Sequence, residues 1–462
     1  MAVGSTQDTA IFHRSLTKKY DTAAGGNGIY IVHSDGSKTL DGCCGAAVSC
    51  LGHSHPVVID AIVQQAKQLS FAHTSIFTSK PAEELASFLI DRSDGAFSNV
   101  MFLSSGKWKP PSTKQPCSPS IDIGVPSGSE AIESTIKLAR QYHISNNEPE
   151  RVNFISRKYA YHGNTIGALS AGYNPPRRKP FEPLLSQAFQ HVSPCFYSKD
   201  GLKGETESQY VDRLIQEYEE MFESLTPKSV AAVMIETLSG ATLGAVTPAE
   251  GYLARLRSLC DKHGALLIYD EVMCGMGRTG TTHAWQSLGG VAPDLQTIGK
   301  GLGAGYQPIS AILVGDKVHK TIQSAQSEHP FVSGHTYQGH AIGCAAALAT
   351  QQVIVNDGLL ENVTAMSRLL EQQLRELTPV LREVRGLGLF LAAEFAEEEG
   401  RGSIAGEVAK TCLANGLAVY LCSPATDSVL FAPPFIINAE QIEEMVGIFV
   451  KSVHQVLRSK KS

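Results

Sequence analysis

A chain of 462 residues has room for two or three packed units, and 43% apolar against 18% charged residues is the make-up of a compact α/β protein rather than of a disordered or collagen-like one. With 39 basic against 45 acidic side chains the formal charge is −6, too mild and too evenly spread for a nucleic-acid partner or a polybasic membrane surface, and no apolar run approaches the roughly 18 residues that a membrane span needs. Ten cysteines with no Cys-x-x-Cys spacing and no secretory leader point to reduced thiols in a cytoplasmic protein, with no metal site.

In chain order, the glycine-rich stretch from Gly25 to Val32 followed by Ser34-Asp35-Gly36 reads as short strands joined by a tight Asp-Gly turn. From about Val100 to Gly315 the pattern changes to continuous apolar runs of strand length: Val100–Leu103, Val152–Ile155, Val230–Ile235, Ala265–Tyr269, Leu295–Ile298 and Ile309–Val314. Helical stretches separate them, the clearest being Ser129–Gln141 with Ile132, Ile136 and Ala139 on one face. Apolar strands alternating with helices predict a mostly parallel sheet covered on both faces. An Ala-rich helix over Cys344–Val355, an amphipathic helix near Val363–Leu377, strands around Leu387–Phe395 and Ala418–Cys422, and a closing helix from Ala439 follow. The expected division is a large domain over residues 71–343 and a small α+β domain from both chain ends, 1–70 and 344–462.

Gly275-Met276-Gly277-Arg278-Thr279-Gly280 matches the glycine spacing of a dinucleotide site. It does not open an apolar helix, and Asp270-Glu271 intervene after the strand, so that reading is set aside. The polar residues at strand ends are more informative. Glu236 closes Val230–Ile235, Asp270 closes Ala265–Tyr269, and Lys300 follows Leu295–Ile298 among glycines. Open α/β sheets bind ligands at these carboxyl ends, and a desolvated lysine there is a candidate imine-forming amine.

The run Leu267–Val272 with Gly275 and Gly277–Gly280, and Pro293–Gly301 around Lys300, resembles the class III aminotransferases, pyridoxal 5'-phosphate (PLP) enzymes of fold type I. Ser127–Ala131, Tyr161–Thr165, His335–His340 and Gly52–Pro56 match the same family in order. The resemblance implies roles for these residues. Lys300 would join the cofactor covalently and move a proton during the reaction, and Asp270 would pair with the pyridine nitrogen and keep it protonated. Val272 would pack on one ring face and Tyr161 on the other, with His162 beside it. Gly128 and Ser129 would meet the phosphate at a helix N-terminus, where free N–H groups favour an anion. Thr336 would reach the phosphate of a neighbouring subunit, which implies a homodimer with shared sites, and Glu236 would lie on the substrate side. Ser127-x-x-Glu130 also fits a capping box, a structural role compatible with phosphate binding. His53 and His55, flanking a turn, read as packing residues, and Arg177 and Arg178 after Pro175-Pro176 as a solvated loop or a substrate contact.

Three departures from the family pattern stand out. Ala432 precedes Pro433-Pro434 where many members that take ω-amino acids carry an arginine, and Thr237 follows Glu236 where proline is common. Third, Lys107–Gly128, 22 residues with five prolines, splits the phosphate-binding turn. Its removal joins Gly106 to Ser129 and restores the motif; Gly106-Lys107-Trp108 can be encoded with a splice donor and Ser127-Gly128 with an acceptor. The segment is therefore read as a retained in-frame intron, which a full-length message as the main transcript would contradict. The expected activity is ping-pong transfer of an amino group from an amine or amino acid to a 2-oxo acid. The residues leave open another PLP reaction on the same scaffold, such as an aminomutase, racemase or decarboxylase, and a homologue impaired by the split turn.

Overall fold

The computed structural model describes residues 10–104, 128–377 and 379–461. Its centre is a sheet of seven strands: β1 Asn99–Leu103, β2 Asn153–Arg157, β3 Phe189–Val192, β4 Val230–Glu236, β5 Leu266–Asp270, β6 Leu295–Ile298 and β7 Ser310–Val314. They lie in the order β1-β7-β6-β5-β4-β2-β3. The pairings from β3 through β6 are parallel, and β7 is antiparallel to both β6 and β1. A parallel pairing needs a crossover of a dozen or more residues, whereas β6 reaches β7 through a single 3₁₀ turn, Lys300–Leu302, and a short loop. Strand β3 was not foreseen, because Gln190 and His191 interrupt its apolar pattern at the sheet edge. The central strands β4 and β5 are buried at every position, as their unbroken apolar runs require.

Two apolar clusters cover the sheet. One face gathers Ile155, Val233, Leu267 and Ile298 with Tyr210, Tyr252 and Leu256. The other gathers Leu103, Met234 and Ile268 with Ile132, Leu138 and Ala139 of helix α1, Gly128–Ser145. A third cluster joins the chain ends: Ile29, Leu40 and Val58 pack with Val363, Leu391, Phe395, Phe431 and Phe449. Around it stand two four-stranded sheets. In the first, Ala23–Asn27, Tyr30–His33 and Lys38–Asp41 form a meander whose Asp35-Gly36 turn has Ser37 N donating to Asp35 Oδ1 at 2.9 Å and Gly36 at φ +85°. In the second, Leu391–Phe395 lies between Leu381–Gly386 and Ser428–Phe431. Helix α2, Ala341–Asn356, is apolar nearly all round because it supplies Cys344 and Ala347 to the large-sheet core and Ala346, Val353 and Ile354 to the end cluster. The Gly275–Gly280 loop is a packing element: a side chain at Gly277 would strike Phe435, and the buried Arg278 donates to the carbonyls of Leu389 and Pro433. No helix among the described residues is long and apolar enough to cross a membrane.

Candidate active site

Strand register sets the geometry. Glu236 of β4 is the direct partner of Asp270 of β5, and Asp270 that of Thr297 of β6, so two carboxylates and a hydroxyl stand side by side at the carboxyl edge of the sheet. The chain then turns through Gly299 into Lys300, which adopts φ +42°, a left-handed conformation that costs a non-glycine residue energy and recurs at functional sites. Burial is the main cause of a lowered Lys300 pKa, opposed by the negative charges of Asp270 and Glu236. Among the described residues no carboxylate lies within ion-pair distance of its amine.

Asp270 is held on three sides. Oδ2 lies 2.8 Å from His162 Nδ1, while Oδ1 accepts from Val272 N at 3.1 Å and from Thr297 Oγ1 at 3.3 Å. His162 is buried, and its Nε2 has no partner among the described residues. Glu236 accepts from Tyr161 N at 3.3 Å and Gly240 N at 3.1 Å, and burial raises its pKa. The Tyr161–Thr165 loop is tied to the start of α1: Asn164 N donates to Ser129 Oγ at 3.0 Å, and Glu133 Oε1 accepts from Gly167 N at 2.6 Å. Gly128, Gly299 and Val272 converge so closely that a Cβ on Gly128 would lie 2.4 Å from Val272 Cγ1. Gly128, Ser129, Tyr161, His162, Glu236, Asp270, Val272 and Lys300 thus form one connected group. Thr336 stands apart: it is exposed, and its neighbour His335 bonds Ser134 of α1 at 2.8 Å. Residues 107–127 of the inserted segment, with Ser127 of the capping box, lie outside the described residues.

Two members of the site were not singled out in the sequence. Thr297 steadies Asp270, and Gln296 donates to Glu271 Oε2 at 2.7 Å. The signal was there: two polar residues in the wholly buried strand Leu295–Ile298 must find partners. His53 and His55 are tied into the fold, His53 N to Gly28 O and His55 N to the Tyr306 hydroxyl. Among the described residues no group of three or more histidines, cysteines or acids is disposed to hold a metal ion.

The model of the aminotransferase class-III family matches residues 16–108 and 119–453. The chain is a class III aminotransferase. The match breaks only inside the inserted segment. Over 97% of its length it is 37% identical to an uncharacterized aminotransferase of Schizosaccharomyces pombe, covering 96% of that protein. It is 31% identical to the diaminobutyrate–2-oxoglutarate transaminase of Halomonas elongata, over 94% of this chain and 90% of that one. Among solved structures it resembles the ω-transaminase of Pseudomonas jessenii in complex with PMP, with 29% identity, a TM-score of 0.86 and coverage of 96% and 94%. The aminotransferase therefore has the PLP-dependent fold type I, its cofactor is PLP, and its reaction is transamination rather than another PLP chemistry. The site fits that cofactor: a half-buried amine with no carboxylate partner among the described residues, an oriented carboxylate, an 18-residue helix beginning at Gly128, and a cradle too narrow for a Cβ there.

Proposed function

We propose that this enzyme uses Lys300 as its catalytic amine and Asp270 as the partner of the cofactor's ring nitrogen. The observation that carries the reading is the register of Glu236, Asp270 and Thr297 beside a half-buried Lys300 that pairs with no carboxylate among the described residues. PLP, when bound, supplies an aldehyde for covalent attachment and a ring that withdraws electrons. Lys300, with its pKa lowered by burial, gives up its proton for that attachment more readily than a solvated lysine and, once released, takes and returns the substrate's proton. Asp270, steadied by His162, Val272 N and Thr297, sets its carboxylate where the ring nitrogen needs a counter-ion. Val272 and Tyr161 flank the ring, and the N–H groups from Gly128 and Ser129 face its phosphate. Glu236 borders the substrate side. The donor is an amine or amino acid and the acceptor a 2-oxo acid. The relatives' names, among them diaminobutyrate and gamma-aminobutyrate transaminases, support donors with an amine remote from a carboxylate.

The same reading makes the enzyme a homodimer. Segments 71–77 and 331–340 adjoin, with Phe71 and Tyr337 rings 5.5 Å apart, and together they expose Ile76, Phe77 and Val332 next to Thr336. An apolar face of that kind suits a second copy, which would receive Thr336 at its phosphate. The shared apolar cluster of the chain ends supports residues 1–70 and 344–462 as one smaller domain beside 71–343. The nine described cysteines, all unpaired and buried, suit a cytoplasmic home. The deciding experiment adds PLP to purified protein and screens amine donors against pyruvate and 2-oxoglutarate. A visible absorption band and a borohydride-fixed adduct on Lys300, both lost in Lys300→Ala, are expected; a colourless protein would reject the reading.

A further inference from the structure

The four-residue helix Pro175–Arg178 sets two adjacent arginines to different tasks. Arg178 is fully committed: its Nη1 donates to the carbonyls of Leu169, Ser170 and Gly172 at 3.3, 3.1 and 2.8 Å, closing the end of the helix Ile166–Ala171. That anchor fixes the turn and projects its neighbour over Tyr161. The Arg177 guanidinium sits over the Tyr161 ring, 4.8 Å from its centroid, and among the described residues no carboxylate pairs with it. Arg177 is exposed, so it stands at the rim and not at the reacting centre. Its charge reaches inward, bearing on both Tyr161 and Lys300, and Arg14 adds to the positive field on Tyr161.

Two other arginines nearby, Arg385 and Arg157, are taken. Arg385 is neutralised by Glu394 and donates to the carbonyls of Leu243 and Gly244, and Arg157 is buried against the carbonyl of Glu236. The strand Ser428–Phe431 and its extension to Pro434 carry no basic residue. A planar guanidinium, stacked on an aromatic face and lacking an internal counter-ion, is preorganised to take a carboxylate through two parallel hydrogen bonds. We propose that Arg177 is a specificity-determining residue that binds a substrate carboxylate remote from the reacting carbon. The inference rests on the assignment of Lys300 as the catalytic amine, since it is a position over Tyr161 with its charge bearing on Lys300 that gives Arg177 its role.

The test compares 4-aminobutanoate with butylamine as donors to the PLP-loaded enzyme, in the wild type, Arg177→Ala and Arg177→Lys. The ratio of kcat/KM for the acid to that for the amine is expected to fall about tenfold or more in Arg177→Ala, the loss of a charged hydrogen-bond pair, and by less in Arg177→Lys. In the wild type KM for the acid should rise with ionic strength more steeply than KM for the amine, and Arg177→Ala should remove that difference. The salt series in the wild type holds even if a variant fails to fold. An unchanged ratio with the visible band intact overturns the role of Arg177, as does a wild type whose two donors respond equally to salt. A wild type that shows neither band nor adduct on Lys300 rejects the underlying assignment instead, and this inference with it.

Discussion

His162 Nδ1 lies 2.8 Å from Asp270 Oδ2, a buried pair that fixes the carboxylate at the sheet edge. The other oxygen is already held by Val272 N and Thr297, so His162 decides the remaining freedom of the group. His162→Ala is expected to weaken PLP binding about tenfold to a hundredfold, the loss of a hydrogen bond to a charged acceptor. Asp270→Asn keeps the shape and removes the charge, and should lower kcat roughly a hundredfold or more. Cofactor titration by absorbance and steady-state kinetics separate the two; an Asp270→Asn enzyme with near-normal kcat would contradict the role given to Asp270.

Lys300 makes a prediction about stability as well as activity. Its folded pKa is lowered by burial from the ordinary 10.5, so the unfolded chain binds more protons between the lowered value and 10.5. The cofactor-free protein should therefore gain stability as pH rises through that window. Lys300→Met should flatten the rise and abolish turnover. Urea unfolding of the cofactor-free protein and the variant between about pH 8 and pH 10 reads the slope directly. Parallel curves would mean that the amine is not desolvated.

Glu271 shows where a sequence reading stops. Its carboxylate is wholly buried and accepts from Ala284 N, Trp285 N and Gln296 Nε2 at 2.7, 2.8 and 2.7 Å, pinning the helix Ala284–Ser287 behind Asp270. Burial pushes it up to about 7 from the ordinary 4.5. A raised acid contributes stability that is complete below about 4.5 and is lost as pH rises through about 7. Glu271→Gln should erase that slope. It should also cost about 1–3 kcal/mol, because its amide sets an N–H against a donor that needs an acceptor. Thermal unfolding from pH 5 to pH 8, at a fixed buffer strength, distinguishes the two effects.

Lys300, Asp270 and Glu236 were legible in the sequence because a charged residue ending a continuous apolar strand has few places to go except the carboxyl edge of a buried sheet. The strands β4, β5 and β6 were legible for the same reason. Register was not, since the side-by-side placement of Glu236, Asp270 and Thr297 depends on which strands are neighbours, which a linear pattern does not fix. Arg177 and Arg178 are alike as letters. Only the fold shows that one is spent on helix-end carbonyls and the other lies over the Tyr161 ring.

Gly128 tests the phosphate cradle. A methyl group there would lie 2.4 Å from Val272 Cγ1, and the stiff β-branched side chain of Val272 has little room to yield. Gly128→Ala is expected to cost about 1–3 kcal/mol of stability and to push Val272 toward the ring position, lowering PLP affinity. Adding Val272→Ala should restore most of the loss, a coupling that a remote pair would not show. Independent, additive effects in the double variant would place the two residues apart in solution.

The exposed apolar face gives the last prediction. Ile76, Phe77 and Val332 are 71%, 62% and 84% exposed, a costly arrangement for a free surface but a natural centre for an interface flanking Thr336. If two copies pair there, Phe77→Asp buries an uncompensated charge in each half of the joint, and the dimer should dissociate at micromolar concentration in sedimentation velocity runs. Activity should fall with it, because the partner subunit's Thr336 no longer reaches the phosphate. Thr336→Ala is the control that separates shape from chemistry: the dimer should persist while PLP affinity drops about tenfold, the scale of one lost hydrogen bond. A Phe77→Asp enzyme that remains dimeric, or a Thr336→Ala enzyme with unchanged cofactor affinity, would move the shared site to another face of the molecule.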